Sequence, residues 1–434
     1  MAQRDRVAAE IGRISSLLPG GAVETGEFDL HGEGVYRSAF DVGTAMFAAA
    51  GAANLAFGVS VLDRSRVVAL SAAGATVDGE RPPTWAPLSG YYQAGDGGHV
   101  QLHANFPHHA AGIVEALGCS HDRSSVEDAI GRRTAAEVEE LLVGRGMIAA
   151  RLRSMGEWAE HPHAVATAGL PLISVERIGD AAPREVDRRL RVLDCSRVLA
   201  GPVAGLTFAA HGADVLRVGS VRLPSVEIGV LTTGSGKRNA FVELDQAAGR
   251  ATFAELLEGA DVWVDAYRPG ALAGKGFPVE QVPAGTVVVQ ICAFDWIGPW
   301  AGRRGFDSII QSTTGVVTAG TEAAGVDRPT PLPVQALDYC TGLLGAFAAR
   351  RLVEHQAAEG GTWLVRLSLL RTRNWLVGLG GPTPFEPAGV VVDDDAMMQV
   401  DTPLGLVETA RPVSGSWPHG PQPLGSATPV WLER

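Results

Sequence analysis

Cysteine is scarce in this chain and follows no pattern. Cys119, Cys195, Cys292 and Cys340 stand far apart among 434 residues, with no C-x-x-C pair, which argues against structural zinc and a disulfide framework and fits a reducing compartment. No apolar run reaches membrane-spanning length, and the opening MAQRDRVAAEIGR is too charged for a signal peptide. A cytoplasmic protein is therefore expected. Positive charge is short as well: 36 Lys and Arg against 48 Asp and Glu leave a formal net charge of -12. That balance speaks against a nucleic-acid or anionic-membrane surface, although not against a local basic pocket. There is no G-x-G-x-x-G, so a dinucleotide is not indicated. His161 and His163, separated by one proline, cannot share a helix face, and no third Cys, His or carboxylate stands at metal spacing. The pair reads as a surface loop; His108-His109, in the first turn of a helix, is likewise not read as ligands, and no metal is expected.

What is present is enough apolar sequence, 46%, to bury a sizeable core in two or three domains. Residues 191–218, RVLDCSRVLAGPVAGLTFAAHGADVLRV, read as strand, tight turn at Ala200-Gly201-Pro202, small-residue helix and second strand. Gly201 lets backbone come close to whatever sits at the strand's carboxyl end, and Pro202 suits a first helical position. The alternation continues with a strand over 239–245, a helix over 247–257, and strands over 261–267 and 286–294. The fold expected is α/β: a mostly parallel Rossmann-like sheet with helices on both faces, plus a smaller α/β domain. Ligands in such sheets sit outside the strand carboxyl ends. The loops there bring in Lys237-Arg238, Arg268, Lys275 and Arg303-Arg304, a plausible phosphate collar in an acidic chain.

The first half is less telling. It reads as a helix over 6–18, a small-residue helix capped by Asp41, a strand over 99–103, and helices over 107–117, 134–143 and 151–161. Glu137, Glu139 and Glu140 are expected to face mostly water. A polar, proline-bearing stretch over 180–185 reads as the linker to the second half.

Asp338 is expected to cap the helix that begins DYCTGLLGAFAARRLVEHQ. Capping alone explains an aspartate there, at about 1 kcal/mol. A carboxylate at this place can also attack an activated acyl group to give an acyl anhydride, with the helix N-terminus holding it ionised. Both roles are compatible. Aligning Asp41 with Asp338 places Thr44 on Thr341, Ala49 on Ala346, Ala52 on Ala349 and Leu55 on Leu352, a weak internal repeat of an Asp-led small-residue helix.

The second half resembles the class III CoA-transferases, the carnitine and formyl-CoA transferase family, through RVLDCSRVLAGP, GADVLRV, SGKRNAFVELD, GADVWVDAYRPGAL, GPWAGRRGFDSIIQSTTGV and the Asp338 helix. It also ends like that family, in TPLGLVETARPVSGSWPHGPQPLGSATPV. The first half resembles the portion that follows the catalytic helix in the family, through YYQAGDGGHVQL and MGEWAEHPHAVATAGLP. The chain thus looks like a tandem of two incomplete copies. Residues 1–40 lead, 41–187 form a small-domain-like half, 188–380 the Rossmann-like CoA-transferase half, and 381–434 a returning C-terminal segment.

The resemblance implies that Asp338 is the catalytic aspartate, taking the acyl group and then CoA in turn. It implies that Leu199 and Ala200 lie near the thioester, and that Gly236, Lys237, Ala266, Tyr267, Arg268 and Arg304 contact CoA. Coenzyme A and its acyl thioester enter as substrates, with a carboxylic acid as acceptor and a homodimer as the assembly. Two departures stand out. Val218 is followed by Gly219-Ser220-Val221-Arg222 where the family has an acidic residue and a Pro-Gly-Gly-Asp-like loop, and Leu199 stands where some members carry a Gln. An acyl-CoA racemase would need a histidine where this chain has Phe306. A non-catalytic CoA-binding or scaffold homologue is the other alternative.

Overall fold

The computed structural model describes residues 2–21, 28–186 and 189–433. Its centre is a seven-stranded sheet in the order Lys237–Phe241, Asp214–Gly219, Arg191–Cys195, Val262–Asp265, Val287–Cys292, Thr362–Ser368 and Ser174–Gly179. Six strands pair in parallel, and Ser174–Gly179, donated by the first half, closes one edge antiparallel to Thr362–Ser368. Strands buried on both faces explain the near-continuous apolar runs. Alternate side chains go to opposite layers: Val192 and Val264 join the core beneath the helices Ala200–Ala210 and Ala336–Glu359, whereas Leu193 and Trp263 join the core beneath Ala247–Glu258. The strand order reverses between Arg191–Cys195 and Val262–Asp265, and such a switch point opens a crevice at the carboxyl ends.

The Asp41 helix, Val42–Ala56, lies directly against the Asp338 helix, Ala336–Glu359. Small residues allow this: Ala48, Ala49, Ala52, Ala346 and Ala349 are all fully buried. A second core is built on the antiparallel strands Gly90–Gln93, His99–Leu102 and Ala149–Arg151 with the helices Pro107–Leu117, Arg123–Ile130 and Ala135–Gly144. The returning C-terminal segment pairs with the first half too, in the sheet Met397–Thr402, Gly405–Ala410, Ala75–Val77.

Several local expectations are corrected. The helix expected over 151–161 is a strand end, Ala149–Arg151, followed by the short helix Met155–Ala159, which Ser154 and Glu157 cap reciprocally. Glu139 is buried rather than solvated, because Arg153 and, at 3.0 Å, Arg303 of the second half bind its carboxylate. His163 is not on a surface loop. It is fully buried, its Nε2 lies 2.6 Å from the Phe294 carbonyl, and the Trp300 N–H donates to Nδ1 at 3.2 Å. Those bonds fix a neutral imidazole as a clasp between the halves, and burial lowers its pKa. His109 is buried as well.

Candidate functional site

The site is assembled from helix starts. After the strand Arg191–Cys195 the chain turns through Ser196, Arg197, Val198 and Leu199 into the helix Ala200–Ala210. Val198 holds φ +72, a region that costs a β-branched residue about 1–3 kcal/mol and is more often tolerated where geometry serves function. Gly201 permits the tight turn, since a Cβ there would sit 2.3 Å from the Ser196 Cβ and 2.7 Å from that of Ala266. Gly342 does the same for the helix pair: its added Cβ would lie 2.3 Å from the Ala200 carbonyl oxygen. Without that close approach the first turn of the Asp338 helix could not reach the start of the other helix.

Asp338 is not the cap. Gln335 occupies the N-cap position and makes no side-chain capping bond, so Asp338 is the third residue of the helix. The Ala200 N–H, at the start of the facing helix, favours its ionised form. The capping is done from elsewhere: Asp307, first residue of the helix Asp307–Thr313, accepts the Asp338 backbone N–H at 2.9 Å and is itself fully buried. Gln311 Nε2 donates to the other Asp307 oxygen at 2.5 Å. Two carboxyl groups thus share one buried place. Burial first, and the Asp307 charge second, push Asp338 well above the usual carboxylate range, while the Ala200 N–H pulls it back; burial also raises Asp307. A carboxylate so placed is poorly solvated and, once ionised, a stronger nucleophile than one in water.

Asp338 opens on a cavity of about 170 Å³. Leu199 and Phe306 of the second half line it, and the first half supplies Trp85, His103 and Asn105. The cavity is therefore a joint product of both halves.

A second cavity, of about 230 Å³, lies at the carboxyl ends of the strands and is lined by Tyr267, Arg222, Lys275 and Leu272. Tyr267 is walled in, and burial pushes its hydroxyl up to about 12. The altered loop after Val218 is tied down by Glu243, which accepts from Ser220 Oγ and the Val221 N–H, both at 2.9 Å.

The expected collar is mostly spent on ion pairs. Lys237 is fully buried, its Nζ 2.8 Å from Asp194 and 2.6 Å from the Pro202 carbonyl. It cannot meet a phosphate, because that ammonium neutralises a buried carboxylate. Arg238 binds Asp214, Lys275 binds Asp245, and Arg303 binds Glu139. Gly236 is also misplaced by the sequence reading: it precedes the strand Lys237–Phe241 at the amino-terminal edge of the sheet and gives its N–H to His419. Arg268 and Arg304 remain, without a carboxylate partner among the described residues and close enough that Arg268 lowers the Arg304 pKa, after burial. Ala266 donates its N–H to the Cys195 carbonyl, joining the two sides of the switch point. Arg197, missed by the sequence reading, belongs with them. It lies over the Phe106 ring at 4.6 Å and bonds the Pro224 carbonyl, again with no carboxylate.

Among the described residues no group of three His, Cys, Asp or Glu could hold a metal ion, and no helix is long and apolar enough to cross a membrane.

Residues 188–380 match the model of CoA-transferase family III. The chain is 30% identical over 51% of its length to an acetyl-coenzyme A transferase of Hypoxylon pulicicidum, covering 36% of that protein. It is 28% identical over 42% of its length to a succinate–glutarate CoA-transferase of Agrobacterium fabrum, covering 50% of it. The chain thus spans between about a third and a half of these relatives. Among solved structures, a hypothetical protein of Mycobacterium tuberculosis aligns with a TM-score of 0.39 at 24% identity, over 46% of this chain and 57% of that one.

Proposed function

Because residues 188–380 match the model of CoA-transferase family III, we propose that this chain moves CoA from an acyl-CoA thioester to a carboxylic acid with Asp338 as nucleophile. The observation that carries the reading is the buried Asp338 carboxyl, at the start of its helix and facing a cavity closed by both halves. In the first step an Asp338 oxygen attacks the thioester carbonyl, the C–S bond breaks and CoA leaves as thiolate, giving an aspartyl anhydride. The thiolate then attacks the Asp338 carbonyl of the anhydride, forming aspartyl-CoA and releasing the first acid. The acceptor carboxylate attacks aspartyl-CoA to give a new anhydride, and CoA returns to the acceptor's acyl carbon, freeing Asp338. Each bond made replaces one of like energy, so no outside energy source is needed.

The residues fit the substrate in parts. The Ala200 N–H, at a helix start, is placed to favour negative charge beside Asp338. Arg197, Arg268 and Arg304 are the cations left for CoA phosphates, and the cavity at Tyr267 is the place for its nucleotide end. Within this reading the first half acts as the small domain that the second half lacks, as an incomplete tandem requires. Incubating the protein with a panel of acyl-CoA thioesters and free acids, and following new thioesters by mass spectrometry, tests it. New acyl-CoA that disappears in Asp338→Asn supports the reading. CoA binding without transfer from any pair supports the scaffold alternative.

A further inference from the structure

We propose that His103, from the first half, sets acid specificity by hydrogen-bonding an uncharged hydroxyl or carbonyl group carried on the acid beyond its carboxyl carbon. The proposal rests on the transferase reading of Asp338. His103 lines the Asp338 cavity and is only 4% exposed. Its ring is pinned: the face stacks on Phe306 with centroids 3.8 Å apart, and Trp85 meets it edge-on at 5.8 Å. Phe306 immediately precedes Asp307, the residue that holds the first turn of the Asp338 helix, so the imidazole is indexed to the reacting carboxyl through one backbone step.

Asn105 and Thr232, two other polar side chains of the wall, are committed within the protein. Asn105 Oδ1 accepts from Ala86 N–H and Ser89 Oγ, and its Nδ2 donates to the Thr84 carbonyl; Thr232 Oγ1 donates to the Ile228 carbonyl. His103 differs: neither ring nitrogen has a hydrogen-bond partner in another described residue, and since Nδ1 is sealed from solvent and turned to its own backbone, Nε2 is the nitrogen left for a ligand. Buried polar groups are nearly always satisfied, and an unpaired one facing a cavity marks a place for a ligand group. Burial holds the imidazole neutral, its pKa lowered to about 4, which matches a neutral partner rather than a second carboxylate. A site built to hydrogen-bond such a group discriminates against the analogue lacking it.

The test compares butanoate with 2-hydroxy-, 3-hydroxy- and 3-oxobutanoate as acceptors, in the full-length protein and in His103→Phe and His103→Gln. The expected result is a kcat/KM at least about tenfold higher for one oxygenated acid than for butanoate, an advantage lost in His103→Phe and partly kept in His103→Gln. A ratio that His103→Phe leaves within twofold overturns the proposal. So does a preference for succinate that the variant does not change, which would move recognition to Arg81 at the cavity mouth. If no acid is a substrate the transferase reading fails, and imidazole ¹⁵N shifts during titration with the same acids still decide. A His103 shift with an oxygenated acid and not with butanoate supports the contact, and equal or absent shifts overturn it.

Discussion

Asp41 and Asp338 open two helices of similar sequence that lie side by side, yet the two carboxyl groups have little in common. Asp41 is a true N-cap, accepting from the Thr44 N–H at 3.0 Å and pairing with the half-exposed Arg6 at 2.7 Å. Asp338 is the third residue of its helix, buried, and capped by neither itself nor its neighbours but by Asp307. One aspartate spends its charge on stability. The other has its charge opposed by burial and by a second carboxylate, and favoured only by an N–H at the start of a different helix. Local sequence assigns both to the same place in a helix; the surroundings assign them different chemistry.

The sharpest way to break the comparison is Asp338→Asn. The amide cannot form an anhydride, so transfer should fall by about a thousandfold or more while CoA still binds. The melting temperature should hold or rise, since a buried carboxyl beside another is removed; a clear loss of stability would mean that the carboxylate is structural.

Asp307 comes next. Asp307→Asn removes a like charge while leaving an oxygen to accept the Asp338 N–H, so Asp338 should ionise at lower pH. The acid limb of the kcat/KM profile, which reports ionisation of the nucleophile, is then expected to shift to lower pH. A limb that does not move would uncouple the two carboxyls. Asp307→Ala, which leaves the first turn of the Asp338 helix without its acceptor, should cost about 1–3 kcal/mol by denaturant unfolding.

Asp265 tests the burial part of the comparison by stability alone. Burial pushes it up to about 6 at the end of its strand, against hydrogen bonds from Gln290 and the Tyr267 N–H that lower it. The native state therefore binds more protons than the unfolded chain between the ordinary carboxylate pKa and about 6, and stability falls as pH rises through that window. Asp265→Asn should gain about 3 kcal/mol over the parent protein at pH 8, a gain that closes toward pH 4. A pH-independent difference would contradict the assignment.

The smallest effect belongs to Asp41→Asn. Asparagine caps as well as aspartate, and only the solvent-exposed pair with Arg6 is lost, worth about 0–1 kcal/mol. Transfer should be unchanged within twofold in the same assay.

The sequence carried the elements built from contiguous pattern: the βαβ unit, the helix Pro107–Leu117, the strand alternation and the helix capped by Asp41; it misplaced two helix starts, which fall at Ala200 rather than after the Gly201 turn and at Ala336 rather than at Asp338. It did not carry what distant residues do to one another. Lys237, Arg238, Lys275 and Arg303 looked alike as loop cations, yet their carboxylate partners lie 43, 24, 30 and 164 residues away, and no spacing rule marks such pairs. Asp307 stands in a quoted motif, but its role depends on N–H groups 31 residues further on. His103 and His163 read as unremarkable because the first half was taken in isolation, and both are defined by second-half residues packed against them.

The central claim is that Asp338, and not Asp41, forms a covalent intermediate. Mixing the protein with an acyl-CoA that it accepts, trapping aspartyl-CoA by borohydride reduction and mapping the reduced residue by peptide mass spectrometry tests this directly. The account predicts reduction at Asp338 alone. Reduction at Asp41, or none at either aspartate while thioester is exchanged, would contradict it.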